Sequence, residues 1–176
     1  MSRVVTFATA VAATIKTGVP SVTEATWQLG RFNLDDLARV TGRGAFVVVG
    51  VLGANVDRGS DSAPSALARV AAFVVTKGKK AEREHQAWSI GEAIAVLADG
   101  KAQFWGLQGL GVPMKVRLEP LTSALSDDKG VALLAVQWEQ KLHRIGEGVF
   151  DNDPEPPTQL FIFGEEQNGG DDAPGP

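Results

Sequence analysis

Residues 131–142 read VALLAVQWEQKL, and this short run decides the class of fold. Leu134, Val136, Trp138 and Leu142 fall on one face of an extended chain, while Gln137, Glu139 and Lys141 fall on the other. A period of two is the signature of a strand with one face against a core. Upstream, Asp127-Asp128-Lys129-Gly130 forms a polar turn in which the glycine can take a positive φ. Lys115 to Pro120 alternates as a further strand, so the two runs pair as a terminal hairpin.

Working outward, Ala45 to Leu52 is a β-branched apolar run, which reads as a strand buried on both faces. Ala66 to Thr76 is a second Val- and Ala-rich strand, and Asn55 to Ser65 between them reads as a polar loop. Ser21 to Trp27 alternates as a short strand, and Asn33 caps a short helix through Val40 with Asp35 and Asp36 in its first turn. Two longer helices are expected. Residues 3–17 carry Val4, Phe7, Val11 and Ile15 at helical spacing and stop at Gly18 and Pro20. Lys79 to Leu97 carries Trp88, Gly91 or Glu92, Ala95 and the set Ile90, Ile94 and Leu97 on one apolar side. Successive strands with few intervening helices give an α+β fold: a mainly antiparallel sheet, two longer helices packed on one face and a terminal β-hairpin.

Composition sets the boundary of this domain. The chain has 176 residues, and all 17 Lys and Arg lie in residues 1–146 against 13 acids. Residues 147–176 hold eight acids, no Lys or Arg, and five of the nine prolines. The expected organisation is an α+β domain over 1–146 followed by an acidic, Pro/Gly-rich tail over 147–176. One apolar island, Leu160, Phe161, Ile162 and Phe163, interrupts that tail. Such an island either docks on a neighbouring chain or folds back on its own domain.

The residues that carry chemistry are scarce. There is no cysteine, which excludes disulfides, Cys-based zinc sites and thiol nucleophiles; there is no tyrosine and there are two histidines. His85 and His143 stand in no metal-ligand spacing. GLQGLG at 106–111 lacks the spacing of a dinucleotide fingerprint, and Ser60, Ser62 and Ser65 lie in no nucleophile elbow. Lys77, Lys79 and Lys80 are too short a basic run, without aromatics, to mark a nucleic-acid site. The longest apolar stretch, Ala45 to Ala54, is about half the roughly 20 residues of a spanning helix. The expectation is therefore no catalytic residue, no cofactor, no metal, no membrane and no specific nucleic acid.

The stretch LEPLTSALSDDKGVALLAVQWEQKL (118–142) resembles the bacteriophage tail terminator, or tail-completion, proteins of the Mu-like and lambda-like tailed phages. The layout over residues 3–143 is similar too, including DDLARVTGRGAFVVVGVLG (35–53) as an Asp-rich segment before a buried Val-rich strand. The resemblance implies a structural virion protein without enzymatic activity. It would be assembled in the host cytoplasm, located in the tail–neck region, and form a homo-hexameric ring that caps the tail tube. Implied partners are the tail tube protein, a head-completion or neck protein and, in a contractile tail, the sheath protein. The residues expected at partner contacts are Asp57, Arg58 and Asp61 of the 55–65 loop, Asp127, Asp128 and Lys129 of the turn, and Leu160 and Phe161 of the tail. Other readings are a neck stopper or connector, a small hydrolase, and a nucleic-acid-binding module suggested by the excess of four positive charges in 1–146.

Overall fold

In the computed structural model, residues 2–30, 44–58, 64–101, 104–121 and 130–146 are described. The order along the chain is α1 (Arg3–Gly18), β1 (Val22–Leu29), β2 (Ala45–Arg58), β3 (Pro64–Lys77), α2 (Lys80–Val96), β4 (Met114–Pro120) and β5 (Val131–His143). A π-helical turn over Leu97–Lys101 continues α2. The five strands form one sheet in the order β1-β2-β3-β5-β4. The β1–β2 pair is parallel, and the other three pairs are antiparallel. This is the expected α+β architecture. The residues joining β4 to β5 (122–129), the short helix expected at Asn33–Val40 and the acidic tail all lie outside the described residues.

Alternation along three central strands builds the core. Val47, Val49 and Val51 of β2, Ala68, Val70, Ala72 and Val74 of β3, and Leu134, Val136, Trp138 and Leu142 of β5 are buried together. Both helices cover this face. From α1 come Phe7, Ala8, Val11, Ala12 and Ile15, at the i, i+4, i+8 spacing that puts side chains on one stripe. From α2 come Ala87, Ile90, Gly91 and Ile94. The amine of Lys16 in the last turn of α1 donates to the carbonyls of Val22 and Thr23, which fixes the helix to β1. The other face of the sheet is also apolar at its centre, with Val48, Ala71, Phe73 and Ala135 in one cluster and Val75, Val131 and Leu133 in another. The double-sided burial expected for Ala45 to Leu52 is thus present, through Val47, Val49 and Val51 on one side and Val48 on the other.

Two departures from the sequence reading have clear causes. Within Asn55–Ser65 the described residues are strand rather than loop, because β2 runs on to Arg58 and β3 begins at Pro64, while residues 59–63 lie outside the described residues. Strand pairing there rests on the backbone ladder, which tolerates polar residues where a strand has exposed positions. Pro64 fits at the first residue of β3, where a missing N–H is least costly. The second departure is Trp88. It was expected on the apolar side of α2 but is 42% exposed, because the buried stripe is set by Ala87, Ile90 and Ile94.

Candidate functional site

The expected contact residues divide between described and undescribed parts of the chain. Asp57 is exposed near the end of β2, where its carbonyl accepts a hydrogen bond from Ser65 Oγ at 3.3 Å. Arg58 ends the same strand and pairs with Pro64. Asp61, Asp127, Asp128, Lys129, Leu160 and Phe161 lie outside the described residues. The register also separates the two proposed contact regions. Arg58 faces Pro64 at the start of β3, whereas Val131, just after the DDKG turn, faces Lys77 at its end. Pro64 and Lys77 are thirteen residue steps apart along β3, about 43 Å at about 3.3 Å per residue. Gly130 does have the positive φ, +67°, expected of the last residue of that turn.

The β2 strand overhangs its neighbour. β1 ends opposite Val51; beyond the unpaired Leu52, Gly53 to Arg58 pair with β3 on one side and with no described strand on the other. Ala54, Asn55, Val56 and Asp57 are exposed, and Val56 at 68% is the most exposed large apolar side chain among the described residues. A shift in register between Val51 and Gly53 marks where the overhang begins. An unpaired edge with an apolar side chain at its centre is a template for another chain.

At the opposite margin of the sheet, β4 is the last strand, and its outer edge also pairs with no described strand. Its two faces differ. Lys115, Arg117 and Glu119 lie on the face away from the helices. There Lys115 pairs with Glu139 at 2.9 Å, Arg117 donates to Gln137 Oε1 at 2.8 Å, and Gln137 Nε2 donates to Glu119 Oε2 at 2.8 Å. A cavity of about 250 Å³ lined by Leu52, Arg69, Lys115, Arg117, Gln137 and Glu139 sits here. Of its three lining cations, Lys115 is ion-paired with Glu139 and Arg117 is hydrogen-bonded to Gln137. Toward α2, Val116 and Leu118 are half-buried, and two clefts open between β4 and that helix. One, of about 380 Å³, lies between Ala95 and Val96 and the β4 residues Val116 and Leu118; the other, of about 450 Å³, lies between Trp88 and Pro120.

A buried polar cluster escaped the sequence reading. Gln140 is fully buried, and its Oε1 accepts from Trp105 Nε1 at 2.9 Å and Trp138 Nε1 at 3.2 Å. Its Nε2 donates to the Gly111 carbonyl at 2.9 Å. The two indoles lie with ring centroids 5.5 Å apart. Position 140 falls in register with Leu134, Val136, Trp138 and Leu142, so a polar residue inside a core stripe was the signal available. The cluster fastens the 104–113 segment over the sheet, together with the Leu110–Leu142 bridge and the Arg3 guanidinium, which donates to the carbonyls of Gln108 and Gly109.

His85 is exposed on α2 near the Leu133 end of β5, whereas His143 closes the other end of that strand, so the structure does not bring them together. Among the described residues, no group of three or more His, Asp or Glu side chains is placed to hold a metal, and no helix is long and apolar enough to cross a membrane. No protein-family model matches the chain, and no curated protein matches it.

Proposed function

We propose that this chain is a structural subunit of a phage tail, a terminator that assembles as a closed ring on the end of the tail tube. In that position it stops tube growth and presents the surface on which a head-completion or neck protein docks. The observation that supports this reading is the β2 overhang, a strand edge from Leu52 to Arg58 that pairs with no described strand on its outer side and carries an exposed Val56. A ring of identical subunits needs a head-to-tail contact, in which one surface of each subunit reaches a different surface of the next. An overhanging strand on a sheet packed by two helices is suited to the reaching role. The rest of the sheet is a base for it, since α1 and α2 cover the centre of one face. The tail tube protein is the partner on one side of the ring, and a sheath protein joins it in a contractile tail.

The test uses tube length. Tube subunits polymerising in the presence of the chain should stop at short lengths, seen by negative-stain microscopy. A variant with Asp57→Lys, Arg58→Glu and Asp61→Lys should lose this effect, because the charges flanking Val56 are reversed at the contact. Tubes capped as well by the variant as by the unaltered chain would contradict the assignment of the overhang.

A further inference from the structure

We propose that the outer edge of β4 is a strand-acceptor site for residues 159–164, QLFIFG, of the same chain, with Phe161 and Phe163 seated in the two clefts beside α2. The inference stands apart from the ring, and four observations carry it.

The first is the edge itself. β4 closes the sheet, and no described strand pairs with its outer side. A seven-residue edge presents a row of backbone donors and acceptors that a sixth strand, antiparallel or parallel, satisfies directly. The second is the apolar border. Of the exposed large apolar residues, Trp88 (42%) lines one of the two clefts and Val96 (60%) the other, beside the half-buried Val116 and Leu118. Monomeric proteins seldom leave such residues grouped without a covering partner.

The third is spacing. Leu118 borders one cleft and Pro120 the other. They are two residues apart on β4, about 6.6 Å, and alternate residues of an added strand have the same separation. Phe161 and Phe163 meet that spacing, while Leu160 and Ile162 turn to the opposite side, over the stems of Lys115 and Arg117. In residues 147–176 no other run holds four consecutive apolar residues, and the island is flanked by Asp153, Glu155, Glu165 and Glu166. These acids complement the excess of four positive charges in residues 1–146.

The fourth is reach. β5 ends at His143, and Met114 of β4 pairs with Glu139, four residues back along β5. The 13 residues 147–159 span up to about 43–47 Å when extended, enough to place the island anywhere along β4. A tether of this length holds the segment at roughly millimolar effective concentration, which favours the chain's own edge over that of a neighbour in dilute solution.

The chain has no cysteine, so an introduced pair reports on docking without interference. In the full-length chain, Arg117→Cys with Ile162→Cys should oxidise to an internal disulfide at low micromolar concentration, giving a faster-migrating monomer on a non-reducing gel. Arg117→Cys with Asn168→Cys, beyond the island, should cross-link far less. Adding Phe161→Ser and Phe163→Ser to the first pair should suppress its cross-link and speed hydrogen exchange of the β4 amides about tenfold. Disulfide-linked dimers would overturn the proposal by placing the island on a neighbouring chain. Equal cross-linking of the two pairs, or β4 exchange unaffected by the Phe substitutions, would overturn it by showing that the edge is not the docking site.

Discussion

Replacing Gln140 by Leu should lower the unfolding free energy by about 3–5 kcal/mol, the largest single-residue effect expected outside the aromatic core. The side chain is fully buried and serves three partners: the indole N–H groups of Trp105 and Trp138 and the carbonyl of Gly111. Leucine keeps most of the volume, so cavity formation adds little. What is lost is the acceptor for two buried donors and the donor for one carbonyl. Each group left unpaired in an apolar surround costs about 1–3 kcal/mol, and partial relaxation keeps the total below the sum of the upper values. For a domain of this size the loss corresponds to a Tm lower by roughly 10–15 °C. Lys141→Leu, one residue along and on the other face, is the control and should change stability by less than about 1 kcal/mol. Urea titration of both variants decides the matter. A loss under about 1 kcal/mol for Gln140→Leu would mean that the two tryptophans satisfy their N–H groups elsewhere.

The second large effect is expected at Gly91. It lies on the buried side of α2, where a glycine is otherwise unfavourable by about 1 kcal/mol relative to alanine. On propensity alone Gly91→Ala would therefore stabilise. The packing argues the reverse. A Cβ at position 91 would stand 2.3 Å from Leu134 Cδ2 and 3.1 Å from Leu118 Cδ2, and Leu134 is only 1% exposed within the main core. Leu134 has little room to retreat, so α2 must lift from β5. Overpacking of this kind costs about 1–3 kcal/mol, which offsets or outweighs the propensity gain and leaves a net loss of up to about 2 kcal/mol. Gly91→Leu should cost considerably more. The contact predicts a coupling of at least about 1 kcal/mol between Gly91→Ala and Leu134→Ala in a double-mutant cycle. Additive effects, or a stabilised Gly91→Ala variant, would show that the helix sits farther from the sheet.

Legibility in the sequence followed how local the cause was. Phe7, Val11 and Ile15 announce α1, and the alternation around Trp138 announces β5, because each pattern has one apolar side and one period. The 45–52 run was readable as buried on both faces from its β-branched content. The extent of β2 and β3 was not, since Asn55 to Arg58 look like loop residues and are held in strand by the ladder to Pro64–Leu67. The parallel β1–β2 pairing was likewise hidden, because strand direction depends on how the chain crosses over between them. At the candidate surfaces, Asp57 was readable as exposed and charged. The importance of Val56 was not, as one valine in a polar stretch carries no pattern. Trp88 misled for the opposite reason: its size suggested core, while the stripe set by Ala87, Ile90 and Ile94 turns it outward. The β4 edge emerged only from strand order, which no segment of the sequence encodes alone.

The central claim, a closed ring on a tail tube, is tested most directly by the mass and shape of the assembled species. Light scattering on a size-exclusion column should be paired with negative-stain imaging, with the chain alone and after mixing with purified tail tubes. The account predicts rings of six chains of 18.5 kDa, about 110 kDa, either free or seated on the tube ends. A chain that stays monomeric or dimeric in both conditions, and leaves the tube ends bare, would contradict it.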